Sequence, residues 1–188
     1  TDGEGHEGDA VIKEISKKSI LVEVYNIVEK ILDKNKVVLY CAILKRENFE
    51  LVVQKATELG VSSIVPILSD HVVKQNLSTE RLQKIIEEAV EQSGQTIVPT
   101  LEDATSFGSG IEFAKKHGEV VLFEQDSKNS KDISNENIIS IFIGPEGGWS
   151  DEEIEFAKEH GTKFRSLGPT TLRAETAAIV GCALPLLL

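Results

Sequence analysis

Two glycine-bearing stretches hold the residues whose types and spacing could do chemistry. The first runs Ile143-Gly144-Pro145-Glu146-Gly147-Gly148-Trp149-Ser150. It joins an apolar run to a helix start, so its glycines let backbone approach a ligand closely while the helix end offers free N–H groups. It lacks the Gly-Lys-Ser/Thr ending of a nucleotide triphosphate loop and the Gly-x-Gly-x-x-Gly of a dinucleotide fingerprint. An NTPase and a nicotinamide-type oxidoreductase are therefore not expected. The second stretch runs Leu167-Gly168-Pro169-Thr170-Thr171-Leu172-Arg173-Ala174-Glu175-Thr176-Ala177-Ala178. Arg173, Glu175 and Thr176 fall within four residues at the end of a strand, where ligands of α/β sheets bind. The bland readings are a tight strand-to-helix turn for the first and a capping segment with Glu175 favoured by the helix dipole for the second.

The elements that would position these loops follow from hydrophobic period. Residues 10–15 and 19–24 are Val- and Ile-rich runs around Lys17-Lys18 and read as a β-hairpin, with residues 36–44 as a further strand of the same small β unit. From Glu47 the period becomes helical (Phe49, Val52, Val53, Ala56, Leu59) until Gly60 stops it. A strand over 62–68 comes next. A helix capped by Ser78 or Thr79 carries Leu82, Ile85, Ile86, Ala89 and Val90 and closes at Gly94. A helix over 111–117 and strands over 119–123 and 138–143 follow. Ser150 and Glu153 make a capping box. A strand over 163–167 and a last helix beginning near Arg173 end the chain. Strands alternating with helices mean an α/β unit with a mostly parallel sheet. The organisation expected is 1–44 as the small β unit and 45–188 as the α/β domain.

Composition bounds the function. The chain has 188 residues, 40% of them hydrophobic and 27% charged, which suits a globular protein. The apolar last fifteen or so residues are shorter than the roughly 20 of a membrane span and read as a buried helix. No signal peptide is visible at the start. Cys41 and Cys182 lie far apart in apolar surroundings and read as free thiols of a cytoplasmic protein. His6, His71, His117 and His160 show no ligand spacing, so no metal is expected. The formal charge of −11 argues against a broad basic nucleic-acid face. The sequence lacks methionine and begins at Thr1, so an N-terminal portion is expected to precede it.

The two loops together resemble the paired motifs of the small-subunit ribosomal RNA uridine-N3 methyltransferases, the RsmE family of the SPOUT superfamily. Gln54-Lys55-Ala56-Thr57-Glu58-Leu59-Gly60-Val61 matches a third family motif. Glu88-Ala89-Val90-Glu91-Gln92-Ser93-Gly94, with Val98-Pro99 after it, matches a fourth. Thr1-Asp2-Gly3-Glu4-Gly5 is similar to the middle of the family's N-terminal barrel. The match covers essentially the whole chain. It implies a parallel α/β sheet with a C-terminal trefoil knot, a rare exception to unknotted connections, preceded by part of a small PUA-like β-barrel. It also implies S-adenosylmethionine as cofactor and a homodimer built on the knot region, with Ile179, Val180 and Leu184 on the interface. The implied cofactor loops are Leu122, Phe123 and Glu124; Ile143, Gly144, Pro145, Glu146, Gly147 and Gly148; and Leu167, Gly168, Leu172, Arg173, Thr176 and Ala177. Arginines are typical of the family where this chain has His71, Gln95 and Thr170.

The implied reaction is methylation of N3 of a uridine in 16S rRNA within the small ribosomal subunit. Uracil N3 must lose a proton, and negative charge develops on the carbonyl oxygens. Arg173 is the residue expected to stabilise that charge. Glu175 and Glu146 are candidates to take the proton or to orient the site. Lys45, Arg46, Lys55 and Lys74 are the expected phosphate contacts. The alternative is a catalytically silent RNA-binding or ribosome-assembly protein that keeps the fold.

Overall fold

The computed structural model describes residues 1–29, 36–72, 77–125, 127 and 137–187. It begins with an antiparallel hairpin, β1 (His6–Ile15) and β2 (Ile20–Glu29). The turn between them is closed by Ser16 N–H donating to Ser19 O at 2.9 Å. Both strands are exposed almost throughout. A two-stranded ribbon alone has too little buried face to be stable. Just before it, residues 3–5 pair with residues 96–98 of the following unit: Val98 N donates to Gly3 O and Gly5 N to Thr96 O.

The α/β unit that follows is built on β3 (Lys36–Ala42), β4 (Ser63–Leu68), β5 (Thr100–Leu101), β6 (Thr105–Ser106), β7 (Glu119–Phe123), β8 (Ile138–Ile143) and β9 (Lys163–Arg165). Its path is β5-β4-β3-β8-β7-β9, with β6 on β4, and every pairing is parallel. β3 therefore corrects the expected grouping. It is a central strand of the parallel sheet, between β4 and β8, and no strand of the hairpin pairs with it. An apolar strand such as Val37-Val38-Leu39-Tyr40 needs cover on both faces, which a small half-exposed β unit cannot give.

Alternation along the strands divides the core in two. Val37, Leu39 and Cys41 of β3, with Ile139, Ile141 and Ile143 of β8, face one helical layer. That layer is α1 (Arg46–Leu59), α2 (Thr79–Ser93) and α5 (Ala174–Leu187). Tyr40, Ala42, Leu122 and Phe142 point the other way, to α3 (Phe107–Lys115), α4 (Asp151–Glu159) and Trp149. Tyr40 stacks on Phe142 with centroids 4.4 Å apart. Burying a side chain such as Phe49 or Phe142, both fully inaccessible, is worth about 2–3 kcal/mol against leaving it in water.

Helix ends obey their local chemistry. Ser78 caps α2 and Gly94, in the left-handed region at φ 69°, ends it; Gly60, at φ 92°, ends α1. Gln95 completes the α1 end, its amide donating to Thr57 O at 2.6 Å and Glu58 O at 3.0 Å. An amide that satisfies orphan carbonyls of a helix is a structural cap. α3 begins four residues earlier than its apolar spacing suggests because Ser106 accepts from Ser109 N. β9 stops at Arg165, two residues short of the expected end, because residues 166–173 leave the sheet edge to form the second loop.

Candidate active site

The carboxyl ends of β7 and β8 and the turn into α5 enclose a cleft of about 750 Å³, within the size range of small-molecule sites. Ile143 and Phe123 form its floor, residues 144–149 one wall and residues 166–175 the other. Trp149 stays largely buried by packing on Phe107, with ring centroids 4.8 Å apart, and its indole N–H reaches Phe123 O at 3.4 Å. The indole thereby ties the end of β7 to the first loop.

The glycines of the first loop are dictated by this geometry. Gly148 has φ +73°, a conformation that costs an L-residue about 1–2 kcal/mol. A Cβ on Gly144 would stand 3.1 Å from the Trp149 ring, and one on Gly147 would stand 3.2 Å from His71 Cβ. Gly168, in the opposite wall, has φ +135°. Side chains are thus absent where both walls present backbone to the cleft.

The first loop is anchored from two sides. Ser150 and Glu153 form the capping box of α4 as the sequence predicts. The Glu153 carboxylate accepts from Ser150 N at 2.8 Å, from Ser69 Oγ at 3.1 Å and from Asp70 N at 3.2 Å. Ser150 Oγ donates to Asp70 at 2.6 Å. Residues 69–71 are therefore clamped to the first loop, and His71 Nδ1 lies 3.1 Å from Gly148 O. Sequence reasoning missed this link because its partners are some eighty residues apart.

Arg173 and Glu175 both line the cleft. The Arg173 side chain is 86% exposed and its guanidinium lies 4.0 Å from Glu175, whose side chain is 11% exposed. With the guanidinium in solvent and 4.0 Å between the charges, the pair contributes at most about 1 kcal/mol to stability. Glu146 also lines the cleft, with one carboxylate oxygen 3.4 Å from Lys45 N. Most of the expected cofactor residues come together here: Phe123, Glu124, Ile143, Gly144, Pro145, Glu146, Gly147, Gly148, Leu167, Gly168, Leu172, Arg173 and Ala177. Leu122 and Thr176 do not line the cleft. Strand alternation turns the Leu122 side chain into the α3–α4 layer, and Thr176 lies on the exposed face of α5. Asn48, Gln125 and Ser166 do line it and were not anticipated. Each is a lone polar residue that acquires a site only through the fold.

The expected phosphate contacts separate. Lys45 lies at the cleft. Arg46 is engaged with Glu50, which also holds Arg81; the two guanidiniums draw the Glu50 carboxyl down to about 2. Lys55 pairs with Glu58 at 2.7 Å, about 13 Å along α1 from Arg46 at 1.5 Å per residue, far from the cleft mouth. Lys74 lies outside the described residues.

Residues 32–185 match the RNA methyltransferase domain family. The chain belongs to the RNA methyltransferase family. Among individual relatives of this member, ribosomal RNA small subunit methyltransferase E of Rickettsia conorii is 34% identical over 192 residues, spanning 97% of this chain and 76% of the relative. The protein of the same name from Neisseria gonorrhoeae, solved with S-adenosylmethionine bound, superposes with a TM-score of 0.89 at 25% identity, covering 97% of this chain and 78% of that one. Lpg2936 from Legionella pneumophila, also solved with that cofactor bound, superposes with a TM-score of 0.82 at 32% identity, covering 97% and 78%. The cleft fits such a cofactor: Ile143, Leu167 and Leu172 offer apolar surface, and glycines leave main-chain donors and acceptors open.

Proposed function

We propose that the protein is an S-adenosylmethionine-dependent methyltransferase acting on N3 of a uridine in 16S rRNA. The observation that carries this reading is the pair of glycine-opened loops facing each other across one cleft, with the exposed Arg173 at its edge. The cofactor supplies an electrophilic methyl group on a sulfonium. The chain's own part is to hold that group in line with the acceptor nitrogen, since alignment of this kind can supply much of the barrier reduction. Arg173 neutralises charge as it builds on the uracil oxygens. Glu175, buried in the first turn of α5, orients the guanidinium. Glu146 fixes the first loop against the start of α1.

The retained Arg173, Glu175 and glycine cradle disfavour a silent assembly protein. The site residues named above, including Arg173, Glu175 and Glu146 as the reaction-centre set, are part of this proposal. So are a C-terminal trefoil knot, a PUA-like barrel to which the β1–β2 hairpin contributes, a cytoplasmic location, a target within the small subunit and a homodimer. The knot is supported by the return of α5, from beyond β9 on the sheet edge, to pack on β8, β3 and α1. The dimer is supported by α5, whose outward residues Val180 and Leu187 remain 36% and 68% exposed. No helix among the described residues is long and apolar enough to cross a membrane. The test is a calorimetric titration of the chain with S-adenosylmethionine and with ATP. Saturable binding of the first and none of the second is expected; the reverse overturns the reading.

A further inference from the structure

We propose that Gln125 reads O4 of the target uracil and so makes the site select uridine over cytidine. The inference rests on the methyltransferase reading above and names a specificity residue for that same cleft. Uracil and cytosine differ at position 4. Uracil carries a carbonyl oxygen there, which only accepts, and cytosine an amino group, which donates. A fixed donor facing position 4 pairs with uracil. With cytosine it leaves two donors opposed and unpaired.

Gln125 supplies such a donor. It follows β7 and lines the cleft, as does Thr171 of the second loop. The Thr171 hydroxyl donates to Gln125 Oε1 at 2.7 Å. With that oxygen engaged, the amide has its two N–H bonds left to donate. The backbone is held as well. Gln125 N–H donates to the Glu124 carboxylate at 3.0 Å, and Glu124 N–H donates to Arg165 O of β9 at 2.8 Å. Thr171 is thus a positioning residue: it touches the amide and not the base.

The exposed rim is where a base arrives. Gln125, Thr171 and Arg173 are exposed, whereas Phe123, Ile143, Leu167 and Leu172 of the same cleft are buried or half-buried. The apolar interior suits the cofactor. The exposed polar groups suit an unstacked base read on its Watson–Crick edge. Arg173 stands two residues from Thr171 in one loop, so a charged donor and a neutral one share this rim. N3 of uracil lies between O2 and O4, so Arg173 at O2 and Gln125 at O4 would flank the reacting nitrogen. Loss of the N3 proton moves charge onto both oxygens, and both bonds then strengthen as the reaction proceeds.

Other polar groups on the cleft lack this character. Carboxylates at Glu124, Glu146 and Glu175 only accept and cannot meet O4; hydroxyls at Ser166 and Thr170 both donate and accept, so they do not tell the bases apart. Lys45 is a point charge on a flexible stem. Asn48 has no hydrogen bond among the described residues to fix which way its amide faces.

Small subunits carrying RNA with either U or C at the methylated position test this, with 3-methyluridine and 3-methylcytidine counted by nucleoside mass spectrometry. Gln125→Ala should lower kcat/KM on the uridine RNA by about 2- to 12-fold, the worth of one neutral hydrogen bond. Gln125→Glu keeps the acceptor for Thr171 but replaces the donor with a second acceptor. It should lose about 5- to 150-fold on uridine, the range of a mismatched base contact, and gain on cytidine. Thr171→Val frees the amide to turn over and should lower the U-to-C ratio; Thr171→Ser should restore it. S-adenosylmethionine Kd should stay within about twofold throughout, less than one hydrogen bond. A readout without turnover is RNA binding by the chain loaded with S-adenosylhomocysteine: the wild type should prefer the uridine RNA and Gln125→Ala should not. A U-to-C ratio unmoved by both Gln125 variants, or a loss confined to S-adenosylmethionine Kd, would overturn the proposal. Failure of the wild type to make 3-methyluridine would instead overturn the function on which it rests.

Discussion

Gly181 lies in the middle of α5 and sets two opposing terms against each other when it is changed to alanine. Alanine is the better helix former by about 1 kcal/mol, so an isolated helix would gain. In the fold, a Cβ at this position would stand 3.1 Å from Phe123 Cε2 and 3.3 Å from Ile143 Cδ1. Both rows of atoms are packed in the core that α5 shares with β7 and β8. Forcing a methyl into such a site costs about 1–3 kcal/mol. The net expectation is a destabilisation of about 0–2 kcal/mol, or a Tm lower by roughly 0–8 °C for a chain of this size. Phe123 and Ile143 are also the floor of the cleft, so their shift should weaken S-adenosylmethionine binding by about 1 kcal/mol, roughly fivefold in Kd. Gly110 in α3 is the internal control. Its Cβ would meet Ile67 Cδ1 at 3.0 Å and Tyr40 at 3.4 Å, on the opposite face of the sheet. Gly110→Ala should change stability by the same competing terms and leave cofactor affinity alone. Thermal denaturation and calorimetry on both variants check this. A Gly181→Ala chain that gains the whole helix-propensity term and binds cofactor with unchanged Kd would mean that α5 is not seated against the cleft floor.

Three further outcomes follow from the site and its surroundings. Arg173→Ala should lower kcat by roughly 10²- to 10³-fold, the scale of one lost preorganised donor, with little change in cofactor Kd, because the charge it meets exists only as the reaction proceeds; a loss confined to Kd would make it a binding group. Gly147→Val should abolish cofactor binding in a folded chain, since even a Cβ there already presses on His71 at 3.2 Å; titration calorimetry beside a circular dichroism spectrum reads both halves. Glu50, held at about 2 from an ordinary 4.5 by Arg81 and Arg46, contributes stability that is present above pH 4.5 and lost as pH falls towards 2; acid unfolding of Glu50→Gln should lack that part of the slope, and identical acid profiles would show that the triad contributes nothing.

Much of the α/β unit was legible because its signals are local. Gly60 and Gly94 mark helix ends by the left-handed conformation only glycine adopts freely, and the Ser150–Glu153 box marks a start by a three-residue spacing. Strands β7 and β8 were readable as continuous apolar runs because the sheet is covered on both faces. The membership of β3 was not readable. Its residues 36–42 look the same whether a strand pairs with the hairpin before it or with β8 a hundred residues later. The cleft's glycine loops were legible for a related reason: their geometry is written into residue type. The Asp70–Ser150–Glu153 clamp and the contact of His71 with Gly148 were not, because parallel pairing alone brings those distant loops to one end of the sheet. Gln95 shows the converse. It stands where the family typically has arginine, and the fold gives it another use: its amide caps the end of α1.

The central claim is methyl transfer to uridine N3, and nucleoside mass spectrometry tests it most directly. Unmodified 16S rRNA, free and assembled into small subunits, is incubated with the chain and S-adenosylmethionine bearing a labelled methyl group, then digested to nucleosides. One labelled 3-methyluridine per RNA, absent without the chain and strongly reduced with Arg173→Ala, is the predicted result. Label on another atom or another base, or no label from a chain that saturably binds the cofactor, would contradict it.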